Sequence, residues 1–241
     1  MLKLSSDREA LADSTQHIFA IAGKSLVADL SGALYWPGEE TLIVADLHFE
    51  KGSAAAARGT FLPPYDTRDT LMRLAAVIER YEPAIVVALG DSFHDHFAAE
   101  RIANEDAAAL AILQEGRRWL WVAGNHDPET PSRFGGETVG EIQISGLILR
   151  HQPTPARTTH EIAAHLHPAA KISLYGHNVR RPCFVGNGRR LVMPAFGAFT
   201  GGVNVLDDAF VPLFGADAGF NVIMLGQEGI YPIATRLLRE D

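Results

Sequence analysis

The 241-residue sequence has one cysteine, Cys183, which excludes an internal disulfide and any zinc site built from several thiolates. A bound metal would have to be held through oxygen and nitrogen. The sequence also lacks any run of about 18 uncharged apolar residues, so no membrane-spanning helix is expected. Residues 1–8 are mixed polar, with no basic end leading into an apolar run, which argues against a secretory leader. The expectation is a soluble, cytoplasmic protein with no membrane partner. An excess of positive charge is missing too: 21 Lys and Arg stand against 29 Asp and Glu, a formal net charge of −8. That excludes a surface basic all over, because phosphate contacts dominate nucleic-acid affinity, but it leaves room for a local basic patch.

With 47% apolar residues the chain can bury a sizeable core, and no linker divides it, so one domain over residues 1–241 is expected. Short apolar runs at 26–30, 33–36, 41–45, 84–89, 119–123, 146–150, 171–175 and 191–193 are bounded by Gly, Pro, Asn or Asp and read as strands. Helical spacing marks 66–81, with Leu71, Leu74, Ala75 and Ile78 on one face and Arg68, Arg73 and Arg80 in solvent. It marks 98–115 as well. The alanine run 54–57 reads as a short helix start. Strands alternating with helices, then a strand-rich second half, predict an α/β sandwich of mixed sheets flanked by helices. The glycine-rich stretch 193–202 implies tight turns or close backbone approach, and fits the rim of a site.

Three strand ends carry polar groups able to bind cations. Val44-Ala45-Asp46-Leu47-His48 puts a carboxylate and an imidazole on alternate positions, which in extended chain point to one side. Leu89-Gly90-Asp91 ends a buried strand in a turn, and two carboxylate oxygens can bridge two ions. Gly124-Asn125-His126-Asp127 offers an amide oxygen, an imidazole and a carboxylate in succession. Each alone is an ordinary turn, but an Asx turn gives no reason for His126. Three such ends in a row point to a metal site.

In that order the motifs resemble the calcineurin-like metallophosphoesterases, whose pattern continues with a single His and then G-H-x-H. His151 stands at the single His. For the last element, Tyr175-Gly176-His177-Asn178-Val179 keeps the glycine but has a valine where a ligand is needed, whereas Ala164-His165-Leu166-His167 supplies both imidazoles. His165 and His167 are therefore the choice, and His177 is read as a surface residue or one that hydrogen-bonds behind the ligands. The resemblance implies that Asp46, His48 and His167 hold one divalent cation, that Asn125, His151 and His165 hold another, and that Asp91 bridges them. Such ligands suit Mn, Fe or Zn, and manganese is the expectation. Two cations about 3.5–4 Å apart then clamp a phosphoryl oxygen and activate a bridging water for in-line attack on phosphorus. His126 would serve the leaving group, with Asp127 orienting its ring.

The words Asp46-Leu47-His48-Phe49-Glu50-Lys51-Gly52, Gly90-Asp91-Ser92-Phe93-His94-Asp95, His165-Leu166-His167-Pro168, Arg180-Arg181-Pro182-Cys183-Phe184 and Pro194-Ala195-Phe196-Gly197-Ala198-Phe199-Thr200-Gly201-Gly202 give a narrower likeness. They resemble the bacterial ligase-associated DNA-damage-response phosphodiesterases, across roughly residues 26–214. This likeness implies DNA as substrate and a DNA ligase, a helicase and a second nuclease-like protein as partners. Lys51, Arg180, Arg181, Arg189 and Arg190 become candidates for phosphate contact; a solvated charge run is the plainer reading. His94 and His96 are read as lining the site mouth or hydrogen-bonding behind the ligands, not as ligands themselves, and Phe196 and Phe199 are read as core. Two other functions stay open: a phosphomonoesterase or a nucleotide or lipid-sugar pyrophosphate hydrolase, and a metal-stabilised scaffold with little activity.

Overall fold

A strand covered on both faces needs apolar side chains at nearly every position, and the sequence has such runs in two groups. The computed structural model describes residues 14–60, 63, 65–129, 131, 133–155, 160–215 and 219–241; residues 1–8, read above as lacking a leader, lie outside them. Among the described residues one sheet has seven strands. They are β1 (Gln16–Ile21), β2 (Lys24–Asp29), β3 (Leu34–Trp36), β4 (Thr41–Val44), β5 (Ile85–Leu89), β6 (Arg118–Val122) and β7 (Glu137–Val139), side by side in chain order. The strands from β1 to β4 pair antiparallel, and those from β4 to β7 parallel.

The second sheet contains β8 (Glu141–Ile144), β9 (Leu147–Arg150), β10 (Glu161–Ala163), β11 (Pro168–Leu174), β12 (His177–Gly186), β13 (Arg190–Val192), β14 (Val203–Asn204), β15 (Asn221–Leu225) and β16 (Ile230–Ile233). Its middle, β9, β10 and β13, is parallel. The two sheets face each other across a core of Ile43, Val87, Leu89, Leu120, Leu149, Ile162, Phe184 and Leu191, all fully buried. Each such aliphatic side chain contributes about 1.5–3 kcal/mol on leaving water.

Helices cover the outer face of the first sheet: α1 (Lys51–Ala57), α2 (Asp66–Tyr81), α3 (Ala98–Arg101) and α4 (Asn104–Gln114). Leu71, Leu74, Val77 and Ile78 form the apolar stripe of α2 against Val44, Val86 and Trp119. A short α5 (Val211–Phe214) covers the second sheet, through Leu213. This is the mixed α/β sandwich expected from the sequence. No helix among the described residues is long and apolar enough to cross a membrane.

Three expectations need correction. The helix expected over 98–115 breaks at Ile102 and Ala103, which are extended. Arg133, from a distant loop, donates to the Ala99 and Ile102 carbonyls, the acceptors a continuous helix would use next. Arg80 and Arg73 are not simply solvated. Arg80 pairs with the buried Asp29 carboxylate at 2.5 Å, and Arg73 turns its guanidinium back over the Phe196 ring. Arg190 is buried against Glu161 at 3.2 Å and has no surface from which to meet a phosphate.

The parallel arrangement decides where function can sit. The strands β4, β5 and β6 of one sheet and β9 and β10 of the other run straight into Asp46, Asp91, Asn125, His151 and His165. Ligands gather where parallel strands end at their carboxyl termini. Here two such edges meet.

Candidate metal centre

At the end of the sandwich the chain leaves the strands through left-handed backbone. Asp46, His48, Asp91, His165 and His167 have φ of 52°, 46°, 46°, 69° and 44°. A non-glycine residue there costs about 1–2 kcal/mol, and such outliers gather at functional sites. The Asp46–His48 and His165–His167 pairs therefore converge by left-handed turns and not by the alternation of an extended strand that the sequence suggested. Ala164, which stands where the family pattern has glycine, has no positive φ and needs none; its amide donates to His151 O at 2.9 Å.

Main-chain bonds hold these turns. Asp46 N donates to Gly90 O and His48 N to Asp91 O, so the first two motifs are tied side by side. From the opposite sheet Phe196 N donates to Ala45 O and Gly197 N to Asp46 O. A Cβ on Gly197 would lie 2.3 Å from the Leu47 carbonyl, which explains glycine at that place. The glycine-rich segment thus presses on the Asp46 turn, as a rim residue would. Its own brace is α2: Arg73 donates to Phe196 O and lies over the Phe196 ring at 5.0 Å, and Thr70 Oγ1 accepts from Ala198 N. Phe196 is fully buried core, while Phe199 is only half-buried. Arg73→Ala should lower Tm by about 5 °C and weaken metal affinity roughly 10–100-fold, as loss of a bond behind a ligand does. Differential scanning fluorimetry and metal titration check this, and an unchanged affinity would remove Arg73 from the support of the site.

The side chains meet in two groups, Asp46 with His48 and His167, and Asp91 with His151 and His165. In the first, His48 Nε2 and His167 Nε2 are 3.4 Å apart, and His167 Nε2 is 3.2 Å from Asp46 Oδ1. In the second, His165 Nδ1 and His151 Nε2 are 3.2 Å apart, and His151 Nε2 is 3.3 Å from Asp91 Oδ2. Asn125 Oδ1 joins this group, 3.1 Å from His151 Nε2. His151 Nδ1 is also 3.8 Å from Asp46 Oδ1, so the groups are adjacent. His177 lies exposed at the tip of the β11–β12 hairpin, outside both.

These contacts fit cations. Asp46 Oδ1 is buried without a hydrogen-bond partner, which is costly unless a positive charge meets it. Burial, then the charge of His167, pushes the His48 imidazole down to about 2, and burial likewise lowers His165; both rings keep lone pairs free for ligation. Burial alone would raise Asp91, but the hydrogen bond and charge of His151 outweigh it and hold the carboxyl below its usual range. Burial would lower His151 too, yet Asp91 and Asp46 raise it, so the carboxylates call for positive charge at this point.

The neighbouring residues fall into place around the two groups. His126 lies at the surface of the site, with Nδ1 2.9 Å from His94 O, its N–H donating to Asp91 Oδ1, and Nε2 3.9 Å from Asp91 Oδ2. Asp127 does not orient it. The Asp127 carboxylate accepts from Ser92 N and Phe93 N at 2.7 and 3.0 Å and so fixes the turn after Asp91; burial pushes it up to about 7, against those two amides. The orienting acceptor for His126 is a main-chain carbonyl, which sequence motifs do not reveal. His94 stacks on His126, and its Nδ1 is 3.4 Å from His48 Nδ1, whereas His96 is exposed. Lys51 opens α1 beside the first group, where Asp66 and Asp46 act on its charge. Glu50, overlooked in the sequence, accepts from Thr67 and Ser53 and closes the loop into α1.

Known proteins bear on this geometry. A model of the family described as Calcineurin-like phosphoesterase matches residues 40–185, which include both groups. The structure of Pseudomonas putida nuclease MPE is similar, with a TM-score of 0.70, 25% identity, and 90% of this chain and 100% of that one covered. Yfce, a phosphoesterase from E. coli, aligns over 80% of this chain and 98% of its own at 12% identity and a TM-score of 0.40. No curated protein matches. Since the family match spans more than half of the chain and takes in both groups of cation-binding side chains, the chain belongs to the calcineurin-like phosphoesterase family and is a metal-dependent phosphoester hydrolase.

Proposed function

We propose that the chain is a dinuclear phosphodiesterase acting on DNA, of the ligase-associated repair type that the sequence words resemble, with a DNA ligase and a helicase as its partners and the cytoplasm as its place of work. The likeness to a nuclease over 90% of the chain supports a nucleic-acid substrate. One domain over residues 1–241 carries the activity. The observation on which the reading rests is the pair of adjacent donor groups around Asp46 and Asp91.

In this reading Asp46, His48 and His167 hold one divalent cation, Asn125, His151 and His165 the other, and Asp91 reaches both. When bound, two such cations supply Lewis-acid charge for a phosphoryl oxygen and lower the pKa of water. Manganese is the proposed ion, since mixed oxygen and imidazole ligands suit it without excluding Fe or Zn.

The chain's own residues do the rest. His126 keeps Nδ1–H on the His94 carbonyl, so that from the doubly protonated ring Nε2 gives its proton to the departing oxygen and the neutral imidazole is left. Its ring is 42% exposed, so a long leaving group such as a nucleic-acid strand can reach it. Asp127 keeps the Asp91 turn in shape.

Under manganese, a bis-aryl phosphodiester should be hydrolysed in preference to the corresponding monoester. His126→Ala should lower kcat for the diester by about 10²–10⁴-fold while leaving two metals bound. A strong monoester preference of the native protein would overturn the diesterase reading, and an unchanged kcat would take His126 out of the reaction.

A further inference from the structure

Beside the first group of ligands lies a hollow of about 110 Å³, lined by His167, Ala169, Arg180, Arg181, Thr200 and Gly202 among others. It is part of the site's own framework. His167 Nδ1 donates to Gly201 O at 3.1 Å, and Arg180 Nη2 donates to the next carbonyl, Gly202 O, at 2.6 Å. A ligand in the hollow is therefore held against the loop that sets the His167 ring.

The two arginines differ. Arg180 is clamped by Asp241, with bonds of 2.9 and 3.2 Å, so its charge is largely answered within the chain. Among the described residues Arg181 donates one hydrogen bond, from Nη1 to its neighbour's carbonyl at 3.2 Å, and forms no ion pair. Arg181 lines the hollow, is half-buried and has no counter-charge among the described residues, and a guanidinium so placed can receive a phosphate.

Among the described residues the opposite flank has no such charge. The hollow beside Asn125 and His151 contains Arg150, but this is paired with Glu141 at 2.9 Å and lies 3.6 Å from Glu161. Among the described residues lining the two hollows, the guanidinium without a counter-charge is thus on the His167 side.

We infer that the Arg181 hollow binds the phosphate next to the one being hydrolysed, so that Arg181 makes the enzyme select a nucleic-acid strand over an isolated diester and fixes the strand's direction across the centre. The inference rests on the diesterase reading above. Arg180 is a positioning residue here, holding the Gly202 loop, and Arg181 makes the contact.

The test uses the whole chain loaded with manganese, a short single-stranded oligonucleotide, and a bis-aryl phosphodiester, which has no second phosphate. Arg181→Ala should cut kcat/KM for the oligonucleotide at least tenfold more than for the aryl diester. Arg118→Ala, which removes an exposed charge from the start of β6, the end of that strand away from the Asn125 turn, should leave the ratio of the two substrates as it is. A second readout needs no catalysis. With EDTA present, anisotropy of a labelled oligonucleotide should show the slope of log affinity against log salt falling by about 0.7 in Arg181→Ala, the amount for one phosphate of a single strand.

Equal losses on both substrates, or an unchanged salt slope, would overturn the subsite. An Arg118→Ala effect as large as that of Arg181→Ala would overturn it as well, since general surface charge would then suffice. If the native protein turns over monoesters alone, it is the diesterase reading that fails, a result separable from any of these.

Discussion

Replacing Asp91 by Asn should lower diester hydrolysis by about 10³-fold, equivalent to about 4 kcal/mol of transition-state stabilisation, and reduce bound metal from two ions to one or fewer. The substitution removes charge with little change of shape. Asp91 Oδ1 accepts the His126 amide and Oδ2 faces His151 at 3.3 Å. An asparagine keeps one oxygen acceptor for His126 N, so the turn survives. What it cannot keep is the negative charge between two groups of imidazoles, one of which, His48, is already held neutral by burial. Steady-state kinetics with metal analysis of the purified variant measures both effects. Activity within tenfold of native, with two metals retained, would show that the two donor groups do not act through Asp91.

That the carboxylate of Asp91 stands in one of the two candidate groups was readable in the sequence, because a buried strand must end somewhere and this one ends in Gly-Asp. The same holds for Asp46 after β4 and Asn125 after β6. Apolar runs fix the strands, parallel pairing fixes which ends lie together, and polar residues at those ends have nowhere else to point. The helix 66–81 was legible for a similar reason, its stripe being uninterrupted and its first turn acidic. The choice of His165 and His167 over His177 came from the family pattern together with the need for two ligating side chains, and the structure puts the first pair in the two groups and His177 in solvent.

What was not legible depends on backbone and on distant partners. Five of the seven proposed ligands have left-handed φ, and nothing in Asp-Leu-His or His-Leu-His announces that. The conformation is imposed by main-chain bonds from other segments, such as Gly197 N to Asp46 O across the two sheets. Asp127 was given the wrong task because Asp beside His suggests a carboxylate and imidazole pair, whereas its oxygen is taken by two amides 34 and 35 residues away. The break at Ile102 needs Arg133, and the strand β1 was overlooked although it pairs with β2 over six positions. Local pattern carries no information about such partners.

A clear case of a partner deciding a residue is Gly90, and Gly90→Ala should damage both the fold and the site. Its φ is +77°, and a Cβ there would lie 2.3 Å from His151 Nδ1 and 2.4 Å from His151 Cγ. The ring cannot step aside, since its Nδ1 is bonded to Leu89 O at 3.1 Å and its Nε2 faces Asn125 and Asp91. Overpacking of this kind costs about 1–3 kcal/mol and the left-handed backbone about 1 more, so Tm should fall by roughly 5–15 °C. Displacing His151 also spoils the second donor group, so the variant should bind one metal less than the native protein. Gly59→Ala separates the two contributions. Gly59 has nearly the same φ, +82°, with nothing within 4 Å of its Cβ position, so it carries the backbone cost alone. Thermal melts and metal content of both variants decide the matter: a Gly90→Ala protein no less stable than Gly59→Ala, and still holding both metals, would mean that His151 is free to move and that the centre is not built around a fixed ring.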